Sequence, residues 1–306
     1  MDSSNKKVAF VPEVTPGTTP ATPSFLIVRD EMTTGNLNAP FGESPERSND
    51  RMLRSTYKQL HTLPKKISMP FAPDAALEGL FQTFMMGTWS TNVLKNGSAL
   101  QSGTIEEIFE APTASPGPWL RSKGMASDQF TLDLTNNKDG EITFSMLGMT
   151  ELMDTAAISG ATYASPTQYE PITPIDCVVN SFFGMTPKME SMQFSGKNNL
   201  RQIYNWGSAD VQKLGLGSFR INVTAKFYFE SASQYTTLVT GDLGVLDITC
   251  GGVSGHKYEI VVPNAKVYNP QLSDPGNDGD VELTCTLSAL YDSSSNSALE
   301  ITRAVA

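Results

Sequence analysis

Glu106 and Glu107, with Glu110 three residues on, come closest in this 306-residue chain to paired acid–base machinery. A glycosidase acting on surface polysaccharide would need one such carboxyl protonated and another ionised across a sugar bond. The surrounding GTIEEIF reads as strand, so carboxylates on a solvated strand edge are the expected role. Of the two histidines, His61 falls in a polar loop and His256 beside a glycine-rich turn, neither with a second ligand at zinc spacing. Gly251–Lys257 (GGVSGHK) fails both the P-loop and the nucleophile-elbow spacing and reads as a tight turn between strands. Asp274–Asp280 (DPGNDGD) lacks the third-position oxygen ligand of a calcium loop and has Cys285 where the bidentate glutamate belongs, so an acidic hairpin turn is expected. The three cysteines, Cys177, Cys250 and Cys285, lie far apart among apolar residues and read as small buried hydrophobes. Neither a metal nor a cofactor is expected, and catalysis is not the reading these residues favour.

Composition narrows the classes further. The net charge of −10 divides evenly: residues 1–155 carry 13 Lys/Arg against 18 Asp/Glu, and residues 156–306 carry 9 against 14. With no basic stripe, sequence-specific nucleic-acid binding is not expected. The first residues lack a signal-peptide apolar run, and no stretch has the roughly 20 apolar residues that span a bilayer. Thirteen methionines suit ordinary core filling, with adaptable subunit contacts as the alternative.

The elements that would position these residues are mostly strands. Four prolines in residues 11–24 predict an extended arm leading into a strand at Phe25–Glu31, and residues 32–63 form a polar loop long enough to be functional or ordered by a partner. A strand at Lys65–Phe71 leads to a helix opened by Pro73 and Asp74, with Leu77, Leu80, Phe81 and Phe84 as its apolar stripe and Gly87 as its end. Phe130, Leu132 and Leu134, then Ile142, Phe144 and Met146, alternate with polar residues across the turn Asn137–Gly140, predicting a hairpin with one wet face. After a Ser/Thr/Pro/Tyr-rich connector the order returns. Met192 and Phe194 mark a strand, residues 196–217 a polar loop, and Ile221–Phe229 the longest alternating run. A short helix with Tyr235, Leu238 and Val239 on one side follows, then strands at Val245–Cys250, Lys257–Pro263, Val281–Leu290 and Leu299–Thr302. The fold class expected is mainly β: a duplicated unit with one short helix per half, residues 1–155 and 175–306, joined by 156–174.

Particular phrases carry a resemblance. FVPEVTPGTTPAT at 10–22, SPERSNDR at 44–51, GTWSTNVLKNG closing 77–97, GTIEEIF at 103–109, NNLRQ at 198–202, LGLGSF at 214–219, YFES at 228–231 and ALYD at 289–292 resemble the major tail tube proteins of long-tailed bacteriophages across nearly the whole chain. The resemblance implies a β-sandwich flanked by a helix. Its strands join those of neighbours into a ring-shaped β-barrel, and stacked rings form the conduit for DNA. It further implies assembly in the host cytoplasm into the virion tail, with tape-measure, tail-terminator and tail-tip proteins as partners and DNA passing without specific binding. Lys66, Ser68, Thr131, Asp133, Thr143, Asn222, Thr224, Lys226, Thr284 and Thr286 are then the candidate lumen residues. Glu43, Glu46, Arg47, Asp50, Arg51 and Arg54 are the candidates for contacts between stacked rings. Excess negative charge would keep DNA from adhering, over about 8 Å at physiological salt. Two units per chain predict a trimeric ring with pseudo-six-fold symmetry, with a hexamer as the alternative. A capsid or tail-tip decoration or recognition protein is the competing function.

Overall fold

A computed structural model describes residues 5–47, 49–50, 52–109, 117–273, 276–277 and 279–306. Among the described residues the chain is mainly β, with two short α-helices. In the first half the strands are β1 (Lys6–Pro12), β2 (Ser24–Ile27), β3 (Met32–Thr34), β4 (Phe41–Glu43), β5 (Thr56–Lys58) and β6 (Leu63–Pro70). Helix α1 (Ala75–Met85) follows, then β7 (Val93–Lys95), β8 (Gly103–Phe109), β9 (Trp119–Thr135), β10 (Glu141–Gly148) and β11 (Thr150–Asp154). After β12 (Thr162–Ala164) come β13 (Cys177–Phe182), β14 (Met189–Lys197), β15 (Arg201–Ile203), β16 (Lys213–Gly215) and β17 (Arg220–Tyr228). Helix α2 (Ala232–Val239), β18 (Leu243–Cys250), β19 (Lys257–Ser273), β20 (Glu282–Ala289) and β21 (Glu300–Val305) complete the order.

The strand pairings repeat. The antiparallel pairs β1·β8, β8·β9, β9·β10, β10·β6, β6·β3, β9·β11 and β4·β5 recur in order as β13·β18, β18·β19, β19·β20, β20·β17, β17·β14, β19·β21 and β15·β16. In each half a 17-residue strand, β9 or β19, begins in a small outer sheet and ends in a large common one. Each also shifts register against its hairpin partner, at Ser145/Met146 in the first half and at Tyr268/Gln271 in the second.

The large sheet runs β3–β6–β10–β9–β14–β17–β20–β19 and crosses from one half to the other where β14 lies antiparallel on β9, Ser191 opposite Thr135 through Lys197 opposite Gln129. A second crossing pairs β21 with β7. Among the described residues the sheet does not close on itself into a barrel, and β3 and the end of β19 are its edges.

One continuous core links the halves. Alternation along β6, β10, β14, β17 and β20 drives one face inward, where α1 lies across it. Asp74 caps α1, its carboxylate accepting from the Ala76 N–H at 2.7 Å. The left-handed residue that ends the helix is Met86 (φ 51°), one position before the expected Gly87. Phe81 meets Phe144 edge-on, and Phe84 packs on Phe130 of the first half and Phe219 of the second.

Several expected boundaries move. Residues 6–12 form strand β1, buried on both faces and therefore without alternation. The loop at 32–63 contains three short strands. Strand β19 continues past Pro263 and Pro270 because both fall where the ladder shifts register, so neither ring nitrogen interrupts a regular run of bonds.

Candidate functional site: a polar face shared by both halves

The candidate lumen residues come together. Because directly opposed residues in a ladder share a face, the register sorts them into rows. One row is Ser68, Thr143, Thr131, Ser195, Asn222 and Ser288. Beside it run Glu141, Asp133, Gln193, Thr224, Thr286 and Tyr268. Lys66, Ser145, Gln129, Lys197 and Arg220 lie on one flank, and Thr135, Ser191, Lys226, Thr284 and Gln271 on the other. All ten candidates thus share one face of the large sheet. Ser68 departs from expectation in being only 3% exposed, opposite Met32 of β3, with its hydroxyl 2.8 Å from that of Thr143.

The chemistry of this face is hydroxyl and amide, with scattered charge of both signs. Lys66, Lys197, Arg220, Lys226 and Lys266 stand among Asp133, Glu141 and Glu282, so the net negative charge of the chain is not concentrated on this face. Lys226 bridges Glu190 and Glu282 at 2.7 and 2.6 Å. Those two carboxylates hold its ammonium above the ordinary lysine value. Lys226 is therefore held charged between two carboxylates, and the trio, with one cation and two anions, presents no free cation to a polyanion.

Glu106 and Glu107 correct a second expectation: both are buried, not on a solvated edge. Glu106 takes the Arg121 guanidinium and the Tyr163 hydroxyl, and Arg121 also reaches Asp154 and the Ala156 carbonyl. Glu107 takes Lys65 and, at 2.5 Å, Lys6, with Glu151 3.6 Å from Lys65. Each carboxylate is committed to a cation, as a structural ion pair requires. Glu110 lies outside the described residues. Glu13, from the proline-rich arm, also escaped the sequence reading. Its carboxylate accepts from Ser102 and Thr104 hydroxyls and the Gly17 and Gly124 N–H groups at 2.7–3.0 Å, fastening the arm to the outer sheet.

Both histidines tie loops together. His61 Nδ1 lies 2.7 Å from Asp210, and its carbonyl accepts from the Tyr204 hydroxyl. His256 Nε2 lies 2.7 Å from the Tyr169 hydroxyl of the connector. The turn carrying His256 joins β18 to β19, while Asp274 and Asp278 of the acidic segment lie outside the described residues. Among the described residues, no three His, Cys, Asp or Glu converge as metal ligands.

Of the stacking candidates, Glu43, Glu46, Arg47, Asp50 and Arg54 are exposed on the β4–β5 hairpin, and Arg51 lies outside the described residues. Asp50 and Arg54 pair at 2.5 Å. The β15–β16 hairpin lies alongside through the His61 contacts and presents Trp206 fully to solvent.

Cys250 and Cys285 are buried, whereas Cys177, opposite Cys250 in the ladder, is partly exposed. Burial pushes the Cys285 thiol up to about 12; a hydrogen bond with Cys177, then burial, raises that of Cys250. A thiol reagent at pH 8 is expected to modify Cys177 alone in the native chain and all three on denaturation, since the thiolate is the reacting form. Native labelling of Cys250 or Cys285 at the denatured rate would contradict this packing.

A mainly β chain whose large sheet carries one apolar and one polar face, and whose buried Glu106 and Glu107 are committed to cations, belongs to the class of structural assembly subunits. The sequence matches the phage tail tube protein family over residues 3–299, and the chain belongs to that family. It is accordingly a structural component of a virion tail that assembles with copies of itself. No curated protein matches it. Among the described residues, no helix is long and apolar enough to cross a membrane.

Proposed function

We propose that this chain builds the wall of the tail tube as a ring of three copies. Each chain supplies two equivalent wall units, residues 1–155 and 175–306 joined by 156–174, and the polar face of the large sheet lines the channel through which DNA leaves the virion. The observation that carries this reading is the unbroken sheet running through both halves with all ten lumen candidates on one face. Eight strands from each of three chains make a barrel of about 24, beyond the 16–18 that already enclose an aqueous channel. A hydroxyl- and amide-rich wall with charge of both signs offers the phosphate backbone no base-reading groups, so DNA slides without specific binding.

Rings stack through the two hairpins at one end of the sheet, with Glu43, Glu46, Arg47, Asp50, Arg51 and Arg54 supplying charge of both signs and Trp206 an apolar anchor. Tape-measure, terminator and tip proteins occupy the channel and ends. Electron microscopy of the concentrated, purified protein tests the reading. Hollow tubes with stacked rings are expected, and discrete compact particles under all conditions would favour a decoration protein instead.

A further inference from the structure

Strand β14, at the seam between the halves, is held along both sides, by β9 and by β17. Strand β13 is held less firmly. Its only strand partner among the described residues is β18, and that ladder slips at Val179/Ser181. The matching strand of the first half, β1, pairs with both β8 and β2, and its first residue, Lys6, is tied to Glu107 at 2.5 Å. Strand β13 (CVVNSF) has no charged residue to do the same, and its first residue is Cys177.

Cys177 stands directly opposite Cys250, the last residue of β18. Directly opposed side chains share a face. One rung further out, the Gly251 N–H donates to the Asp176 carbonyl at 3.0 Å. That rung is the hydrogen-bonded one, so by alternation the cysteine rung is not. At such a rung opposed Cα atoms come to about 4.5 Å, within disulfide range, and the side chains are at their closest. The two thiols already share a hydrogen bond, and Cys177 Sγ also lies 3.5 Å from the Thr173 carbonyl. Cys250 is buried, but Cys177 is partly exposed. It lines an open cleft of about 350 Å³ with Pro174, Val179, Pro187, Met189 and Met192, through which a small reagent reaches its sulfur. Cys285 stands apart, on β20 opposite Ala225.

We infer that Cys177 and Cys250 form a redox site, a dithiol in a reducing cell and a cross-strand disulfide in the oxidising medium that a virion enters. The co-reactant is a small disulfide of the glutathione class. The Cys177 thiolate attacks one of its sulfurs and expels one thiolate, leaving a mixed disulfide on Cys177. Cys250 then gives up its proton, attacks the Cys177 sulfur and expels the second thiolate. Two protein thiols are oxidised and one small disulfide is reduced to two thiols. The bond fastens the start of β13 to the end of β18, where the first half uses charge. It does not depend on the number of chains in a ring.

The full chain, purified reduced and treated in its native state with oxidised glutathione, is expected to lose two hydrogens and to yield one linked peptide pair, Cys177 with Cys250. Denatured without reductant it should then expose a single thiol, Cys285, and after reduction all three. Cys285→Ser should keep the link and Cys177→Ser should abolish it. The oxidised chain should melt roughly 5 °C or more above the reduced one, because the bond closes a long loop in the unfolded state. A lasting glutathione adduct on Cys177 with Cys250 still free, or a link to Cys285 or to a second chain, would overturn the pairing. A Cys177–Cys250 link with no rise in melting temperature would overturn its fastening role.

Discussion

Replacing Arg121 by leucine is expected to lower folding stability by about 3–5 kcal/mol, because it strands a buried carboxylate. Arg121 is 4% exposed and Glu106 not at all, and the guanidinium joins Glu106 to Asp154 and to the Ala156 carbonyl at the start of the connector. Without it, Glu106 keeps only the Tyr163 hydroxyl. A second change, Glu106→Gln combined with Arg121→Leu, removes the orphaned charge and should recover a good part of the loss, which a simple packing defect would not. Urea titration of the single and double variants reads both quantities. A loss below about 1 kcal/mol for the single variant would mean that the pair is solvated, as the sequence alone suggested.

Truncating Phe84 to alanine is expected to cost a similar 3–5 kcal/mol, roughly, by a different route, a cavity in the core. The ring lies 4.6 Å from that of Phe130 and 5.5 Å from that of Phe219, so it touches both halves. Gly196 of the seam strand has no side chain because a Cβ there would sit 2.3 Å from the Phe84 ring tip. The Asn198 side-chain amide donates to the carbonyls of Phe84 and Ser127, both partners in the first half. The loss should therefore appear in one cooperative transition. Two separate transitions, with only the first half shifted, would contradict the shared core.

The polar face was legible from sequence because alternation assigns a side locally and the antiparallel register carries that side from strand to strand. Thr131, Thr143, Asn222 and Thr224 illustrate it: each was placed by its own strand's period, and the ladders align them. Ser68 obeyed the same period yet is buried, between Met32 of the neighbouring strand β3, which has no pattern of its own, and Thr143 of β10. Lys65 and Glu107 were opaque for another reason. They lie 42 positions apart, and a lysine at an inward position of an alternating strand reads as an exception until its partner is seen. Asn198 belongs to a phrase noticed only for its resemblance, and its two bonds across the seam explain why the phrase must stand where it does.

The distribution of charge over the polar face also required the fold. A uniform excess of acidic residues says nothing about which face holds them. Here Glu13, Glu106, Glu107 and Asp74 are spent inside the molecule, and the polar face of the large sheet is left mixed.

Counting chains per ring in assembled tubes by cryo-electron microscopy bears most directly on the idea that the two halves are equivalent wall units. Three chains per ring, with both halves of each chain lining the channel, is the result expected. Six chains per ring, with only one half of each chain lining the channel, would contradict it.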